Sequence, residues 1–484
     1  MNWEIITFLG YFVILLGVAL IFYFNGSNKN SEDFFLGGRS MGPWVTALSA
    51  QASDMSAWLL MGLPGSILAF GFGQMWIGIG LALGTAANWI LCAKRLRTFS
   101  KAADDAITVP QYLTNRFGVD SRTLQLVCAL IFLFAYTIYV ASALVAGTSV
   151  FNTLFPEISP KVAMLVFLLI IVAYTFFGGF TAVCWTDFFQ GMLMLAALLV
   201  APIFALFMLK GVGVHPVDTP NFFNPFSSWK DIVSGLGWGL GYFGMPHIII
   251  RFMSLESQKS LKKSAKIGIS WTLLIVIFAA LVGIIGRLFL GFDETINGHS
   301  LVFITMVRRI FPGVISGILL SAVLAASMST ADSQLLTAAS AFASDVYKPV
   351  IRKGQAGEKE MLWAGRLVVL AIAVVALLIA SDPEAGTIMS LVSNAWGVFG
   401  AAFGPAIMLS LFWKRFTFSG AVAGILVGAG VDVLWLLCLS STGIYEIIPG
   451  TAAGLIACIV VSLLSRKPDA DVEALYDKAV AYTD

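Results

Sequence analysis

The stretch Val45–Gly65, VTALSAQASDMSAWLLMGLPG, carries a carboxylate, Asp54, near the middle of an apolar run, with Ser49, Gln51, Ser53 and Ser56 around it. A continuous helix gains nothing from this cluster. A helix that unwinds there frees backbone carbonyls to hold a cation, and the amides of the next half-helix face an anion. A packing face of small and hydroxyl residues accounts for the serines and alanines but not for a carboxylate at that depth. A second run, GLGWGLGYFGMPHIIIRF, is interrupted by Gly237, Gly239, Gly241, Gly244 and Pro246, which relax helical hydrogen bonding and predict another discontinuous helix. A third, LSAVLAASMSTADSQLL, puts Ala326, Ser329 and Ser333 on one face, with Thr330 beside them and Asp332 next to the stripe. Hydroxyls and carbonyls suit sodium, a hard cation. A bare Ser/Thr stripe is more often packing, and Asp332 together with Asp54 tips the reading towards an ion site.

Two more carboxylates lie in or near apolar runs. Asp187, in CWTDFFQ, is a further candidate, whereas Asp432 reads as structural. Four aromatic residues, Trp58, Tyr139, Trp238 and Tyr242, lie in or beside the polar spans. Tryptophans in membrane proteins mostly form interfacial belts. Here Trp238 and Tyr242 are one helical turn apart beside the glycine-rich break, and Trp58 follows the first break directly. Rings so placed pack on a compact apolar ring and can face an ammonium group. His247, beside Pro246, is a candidate donor, although a lone histidine is more often structural.

The elements that must position these residues follow from composition. The chain has 484 residues, 58% hydrophobic and 12% charged, with mean hydropathy +0.89. A soluble domain carries roughly 25% charge, so the solvent here is lipid. A net charge of +2 gives no support to nucleic-acid binding. The five cysteines are scattered and read as free small hydrophobes, with Cys184 in a short loop. No paired His or Cys group points to an enzyme, and the sequence carries no signal for oligomeric state. Thirteen apolar runs of spanning length occur at 5–24, 44–67, 71–93, 122–150, 161–178, 187–209, 231–252, 267–290, 313–340, 361–381, 387–413, 417–438 and 445–465. The first lacks a basic flank and reads as a span rather than a cleaved signal. With the N-terminus outside, 23 of the 29 Lys and Arg fall on the inner side, Lys29 and Arg251 among them. That orientation puts the C-terminus in the cytoplasm of a multi-pass plasma-membrane protein. Segment 99–118 is expected along the inner surface, and segment 300–312 as a short amphipathic helix on the outer side. The two interrupted runs lie five spans apart. That is the spacing at which inverted-repeat transporters break the first helix of each half, with solute and ion between the breaks.

At this length the motifs resemble a known family. FFLGGRSMGPWVTALSAQASDMSAWLLMGLPG, YTIYVASALVAG, YTFFGGFTAVCWTD, GWGLGYFGMPHIIIRFM, ILLSAVLAASMSTADSQLL and GVFGAAFGPAIMLSLFW resemble the sodium/solute symporter family, its proline-carrying members above all, from about residue 31 to 465. The resemblance implies an all-α, LeuT-like core of ten helices in two inverted five-helix halves. One peripheral span falls within 1–30, the core within 31–413, and two peripheral spans and a short tail within 414–484. It implies sodium-coupled uptake of L-proline, with another amino acid or organic acid as the alternative solute. The partners are the solute, sodium and the lipid bilayer, and no cofactor is needed besides the coupling ion. By motif the sodium ligands fall on Ala52, Met55, Ala326, Ser329 and Thr330. Asp54, Asp187, Asp332 and Ser333 serve coupling or a second sodium. The solute site falls on Ser56, Ala57, Trp58, Tyr139, Trp238, Tyr242 and Pro246. Ala57 stands where proline carriers often have Gly, and its extra methyl narrows the pocket.

Overall fold

The computed structural model describes residues 3–24, 31–119, 122–292, 299–382 and 384–482. Lys29 and the boundary expected at residue 30 lie outside the described residues. The described chain is almost wholly helical. Its helices are α1 (Trp3–Phe24), α2 (Ser31–Leu36), α3 (Pro43–Ala52), α4 (Leu63–Phe70), α5 (Met75–Ala87), α6 (Ala93–Ala102), α7 (Val109–Phe117), α8 (Thr123–Leu154), α9 (Pro160–Val212), α10 (Trp229–Gly237), α11 (Pro246–Ser254), α12 (Gln258–Leu290), α13 (Val302–Ile310), α14 (Gly313–Ala341), α15 (Glu358–Ala380), α16 (Ile388–Phe412), α17 (Phe418–Leu439), α18 (Ile447–Leu464) and α19 (Ala470–Ala481). Among the described residues, ten stretches are long and apolar enough to cross a membrane. The other three expected runs are the two broken ones, α3–α4 and α10–α11, and the first part of α9.

α9 is two spans joined at Gly179, whose backbone is left-handed (φ 64°, ψ −178°). Only glycine adopts that conformation without strain. The turn is therefore a single residue, and Cys184, expected in a loop, is buried within the helix that resumes beyond it. Segment 99–118 contains α7, and the short helix expected at 300–312 is present as α13. Thr108 caps α7 by accepting from the Gln111 amide at 3.1 Å, and α13 turns Val302, Phe303, Ile304, Met306 and Val307 inward.

The two broken helices head two consecutive sets of five spans. The first set runs through α5–α6, α8 and the two halves of α9. The second runs through α12, α14, α15 and α16. At the centre stands α14, in which every residue from Leu319 to Ala341 is buried. Helices α1, α8, α9 and α15 surround it. Such shielding lets a helix carry many hydroxyls without presenting them to lipid. By contrast α17 is only 22% buried over its apolar window, against 83% for α14. At the end of the bundle where α1 starts, Glu4 Oε1 accepts from Ser316 Oγ at 2.6 Å and pairs with Arg308 Nε at 3.2 Å.

Candidate functional site

α3 stops at Ala52 because the chain turns through Ser53–Ser56. Asp54 and Met55 both donate back to Gln51 O, at 3.2 and 2.9 Å, and the Ser56 amide donates to Asp54 O at 2.9 Å. The helix restarts at Ala57, whose N–H heads the second half-helix. Its first turn, Trp58–Gly62, is a wide π-turn. The Ala52 carbonyl, released by the break, points at α14: Ser329 Oγ donates to it at 2.8 Å and to Ala326 O at 3.2 Å. Thr330 Oγ1 beside them is fully buried with no hydrogen-bond partner. Two carbonyls and two hydroxyls from facing helices thus converge where α3 ends. An all-oxygen group of this kind, with one member unpartnered, has the donor chemistry of a site for a hard monovalent cation. Met55 follows Ala52 by three residues in the turn and is brought near the group by its position in the chain.

A turn away lies a charged cluster. Asp187 Oδ2 accepts from Ser49 Oγ at 2.7 Å and from Arg251 Nη2 at 3.1 Å, and stands 3.5 Å from Ser333 Oγ. Arg251 also donates from Nε to Ser49 Oγ at 2.9 Å, from Nη2 to Ser333 Oγ at 2.5 Å, and from Nη1 to the His247 carbonyl. Its guanidinium lies 5.4 Å from the Phe180 ring centroid. Arg251 is 1% exposed and Asp187 fully buried. Four elements, α3, α9, α11 and α14, are tied together by this one side chain. The sequence places Arg251 among the inner-loop cations. The structure corrects this: α11 runs on to Ser254, which carries Arg251 into the protein. Asp332 is fully buried nearby, and neither of its carboxylate oxygens has a hydrogen bond of normal geometry.

The aromatic residues form a cage against the first break. The Tyr242 hydroxyl donates to Asp54 Oδ2, while Asp54 O accepts from Trp58 Nε1 at 3.3 Å and Tyr139 OH at 3.5 Å. The rings of Trp58 and Trp238 lie 6.0 Å apart. Two residues absent from the expectation complete the cage. Trp396 of α16 donates from Nε1 to Trp238 O at 2.8 Å, and its ring meets Tyr242 edge-on at 5.2 Å. Tyr445 covers Trp238 at 5.1 Å. The segment Trp238–Phe243 is wound as a tight 3-10 helix, and Pro246 starts α11. Its glycines admit close neighbours: a Cβ on Gly84 of α5 would stand 2.4 Å from Gly239 O and 2.7 Å from Tyr242 Cδ2.

All seven expected solute residues are buried in this region. Ser56 Oγ accepts from the Trp58 amide at 3.4 Å, and Ala57 is 1% exposed. Above the cage a vestibule of about 820 Å³ opens, with Trp238 and Tyr445 in its wall, together with Gly65, Phe70 and Ser390. The remaining cage residues are sealed beneath it. His247 is engaged by Tyr136 at 3.3 Å and is not part of the cage wall.

A sequence model described as the sodium:solute symporter family matches residues 34–428. The chain is 44% identical over 464 residues to the high-affinity proline transporter PutP of Bacillus subtilis, covering 94% of this chain and 97% of that one. It is 42% identical over 486 residues to a sodium/proline symporter of Escherichia coli, covering 97% and 95%. Among solved structures, a substrate-bound outward-open sodium-coupled sialic acid symporter superposes with a TM-score of 0.80 at 20% identity, over 97% of this chain and 99% of that one. Mhp1, a nucleobase-cation-symport-1 family transporter in a closed conformation, superposes with a TM-score of 0.58 at 16% identity, covering 92% and 98%. The five-plus-five transporter fold is therefore common to all three chains.

Proposed function

Since this chain belongs to the sodium:solute symporter family, we propose that it carries L-proline together with sodium across the plasma membrane, by alternating access. The observation that carries the reading is the convergence of Ala52 O, Ala326 O, Ser329 Oγ and Thr330 Oγ1 directly behind a small aromatic cage. Curated relatives over 40% identical along nearly the whole chain, named for proline transport, point to the solute. The vestibule side is the outer face, with the N-terminus outside and the C-terminus in the cytoplasm. The ten spans from α3 to α16 form the moving core, and α1, α17 and α18 flank it.

Sodium enters from the vestibule and bridges the end of α3 to α14, with Met55 O as a fifth ligand. The ion replaces the Ser329–Ala52 hydrogen bond and fixes the unwound segment. The carboxylate of the solute then meets the Ala57 amide at the head of the second half-helix, and its ring packs among Trp58, Trp238 and Tyr242. Ser56, Tyr139 and Pro246 complete the walls, and Asp54 faces the solute ammonium. Coupling requires that both ligands favour the same conformation, because a ligand shifts states only by differential affinity. One sodium is carried per cycle: Arg251 already neutralises Asp187 and occupies Ser333, so that pair orients helices rather than holding a second carried ion. One charge gains about 2.3 kcal/mol per 100 mV, and a tenfold gradient adds about 1.4 kcal/mol. Together these concentrate the solute roughly five-hundredfold.

The test is uptake of radiolabelled proline into proteoliposomes under an inward sodium gradient, with Ser329→Ala alongside. Accumulation above equilibrium is expected, with the sodium needed for half-maximal uptake raised at least roughly tenfold in the variant, the loss of one ion ligand. Sodium-driven uptake of a different solute would keep the mechanism and refute proline. Equilibration indifferent to sodium would refute the coupling.

A further inference from the structure

Away from the solute and ion sites, two carboxylates sit together with no basic partner. Asp432 lies in α17, and Glu446 immediately precedes α18. Asp432 is fully buried and Glu446 is 8% exposed. Both carboxylate oxygens of Asp432, and Oε1 of Glu446, lack a hydrogen-bond partner. The two side chains meet across Gly397 of α16: a Cβ built there would stand 2.8 and 3.3 Å from the Asp432 oxygens and 3.3 Å from Glu446 Cγ. Among the described residues no Lys, Arg or His pairs with either. Lys230 reaches the same loop, its Nζ 3.8 Å from where a Cβ on Gly443 would lie, without pairing with Glu446.

Two carboxylates this close and this far from water do not remain both charged and unpaired. One shared proton satisfies two of the three orphaned oxygens. A cation that prefers oxygen satisfies all three at once. A calcium ion demands six to eight oxygen ligands, and no third acidic, histidine or cysteine side chain joins this pair among the described residues. Glu446 lines the vestibule, with Asp432 buried behind it, so an ion reaches the pair past Glu446. We propose that Asp432 and Glu446 form a sodium site at the junction of α16, α17 and α18, filled from the vestibule and separate from the carried ion. Because α17 and α18 lie outside the ten-helix core, this ion is resident rather than transported.

The ion acts through Tyr445. That residue adjoins Glu446, its hydroxyl donates to Ser393 O at 2.7 Å, its amide donates to Ser234 Oγ at 3.1 Å, and its ring covers Trp238. Fixing Glu446 therefore fixes the outer wall of the cage. The experiment is saturation binding of radioactive sodium to the purified protein in detergent, comparing wild type, Asp432→Asn, Glu446→Gln and Ser329→Ala. Each variant is first checked for a monodisperse elution profile. Two sodium ions per chain are expected in the wild type. At a sodium concentration that just fills the wild type, one is expected in each single variant, and none in Ser329→Ala combined with Asp432→Asn. Glu446→Gln, at the vestibule wall, is the reporter if the buried Asp432 variant does not fold. An unchanged count in Glu446→Gln overturns the proposal, as it must if the pair holds only a proton. A count lowered by the acidic-pair variants but not by Ser329→Ala would leave this site standing and refute the ion site behind the cage.

Discussion

Replacing Arg251 by Met isolates the worth of the cluster that joins α3, α9, α11 and α14. The guanidinium makes hydrogen bonds to Ser49, His247, Asp187 and Ser333, and both members of the ion pair are shut away from water. Removing one partner strands the other charge, which costs about 3–5 kcal/mol. Removing both charges together does not. Asp187→Asn combined with Arg251→Met should therefore recover most of the loss, giving a coupling of at least about 2 kcal/mol in a double-mutant cycle. The chain carries its own reporter: Cys92, Cys128, Cys184 and Cys458 are buried, and Cys438 is exposed. A thiol-reactive fluorogenic dye reads a constant baseline from Cys438 and a rise as the four buried thiols are uncovered by unfolding. Arg251→Met should unfold well below the wild type, with the double variant between them. A double variant as unstable as the sum of the two singles would refute the reasoning, since the cluster would then be independent contacts rather than a charge pair.

Two further outcomes test the cage. Tyr242→Phe removes the hydrogen bond that Tyr242 gives the Asp54 carboxylate, whose Oδ1 has no partner among the described residues. A stranded buried acceptor costs about 1–3 kcal/mol, so half-maximal uptake should require roughly 5 to 150 times more solute or sodium, and unchanged kinetics would rule out this contact as functional. Gly84→Ala forces a methyl to 2.4 Å from Gly239 O, and such overpacking costs about 1–3 kcal/mol. The displaced 238–243 segment should weaken solute binding while sodium binding, measured without solute, stays as in the wild type.

The two helix breaks were legible because their causes are local. Asp54 and its serines interrupt an apolar run, and four glycines with Pro246 interrupt another. The stripe on α14 was legible by helical spacing. Arg251 was misread because it closes an apolar run, which is also where inner-loop cations begin. Only the continuation of α11 to Ser254, and the pairing of Met41 with Leu255 beyond it, shows that the helix runs on past Arg251 and holds it inside the protein. Trp396 and Tyr445 left no local signal. Each sits in an ordinary stretch and acquires its role from Trp238, 158 residues from Trp396 in sequence. Gly84, packed behind Tyr242, is of the same kind. The turn expected between the two halves of α9 collapsed to Gly179, because one left-handed residue does what a longer loop was expected to do.

The contact between α1 and α14 fixes an order of events during biosynthesis. Glu4 is buried, and its donor Ser316 lies 312 residues further along the chain. While the intervening spans are being made, α1 must wait in the bilayer without the Ser316 and Arg308 side chains that meet Glu4 in the folded protein. The first span can therefore be threaded early but docked only late, once α13 and α14 have emerged.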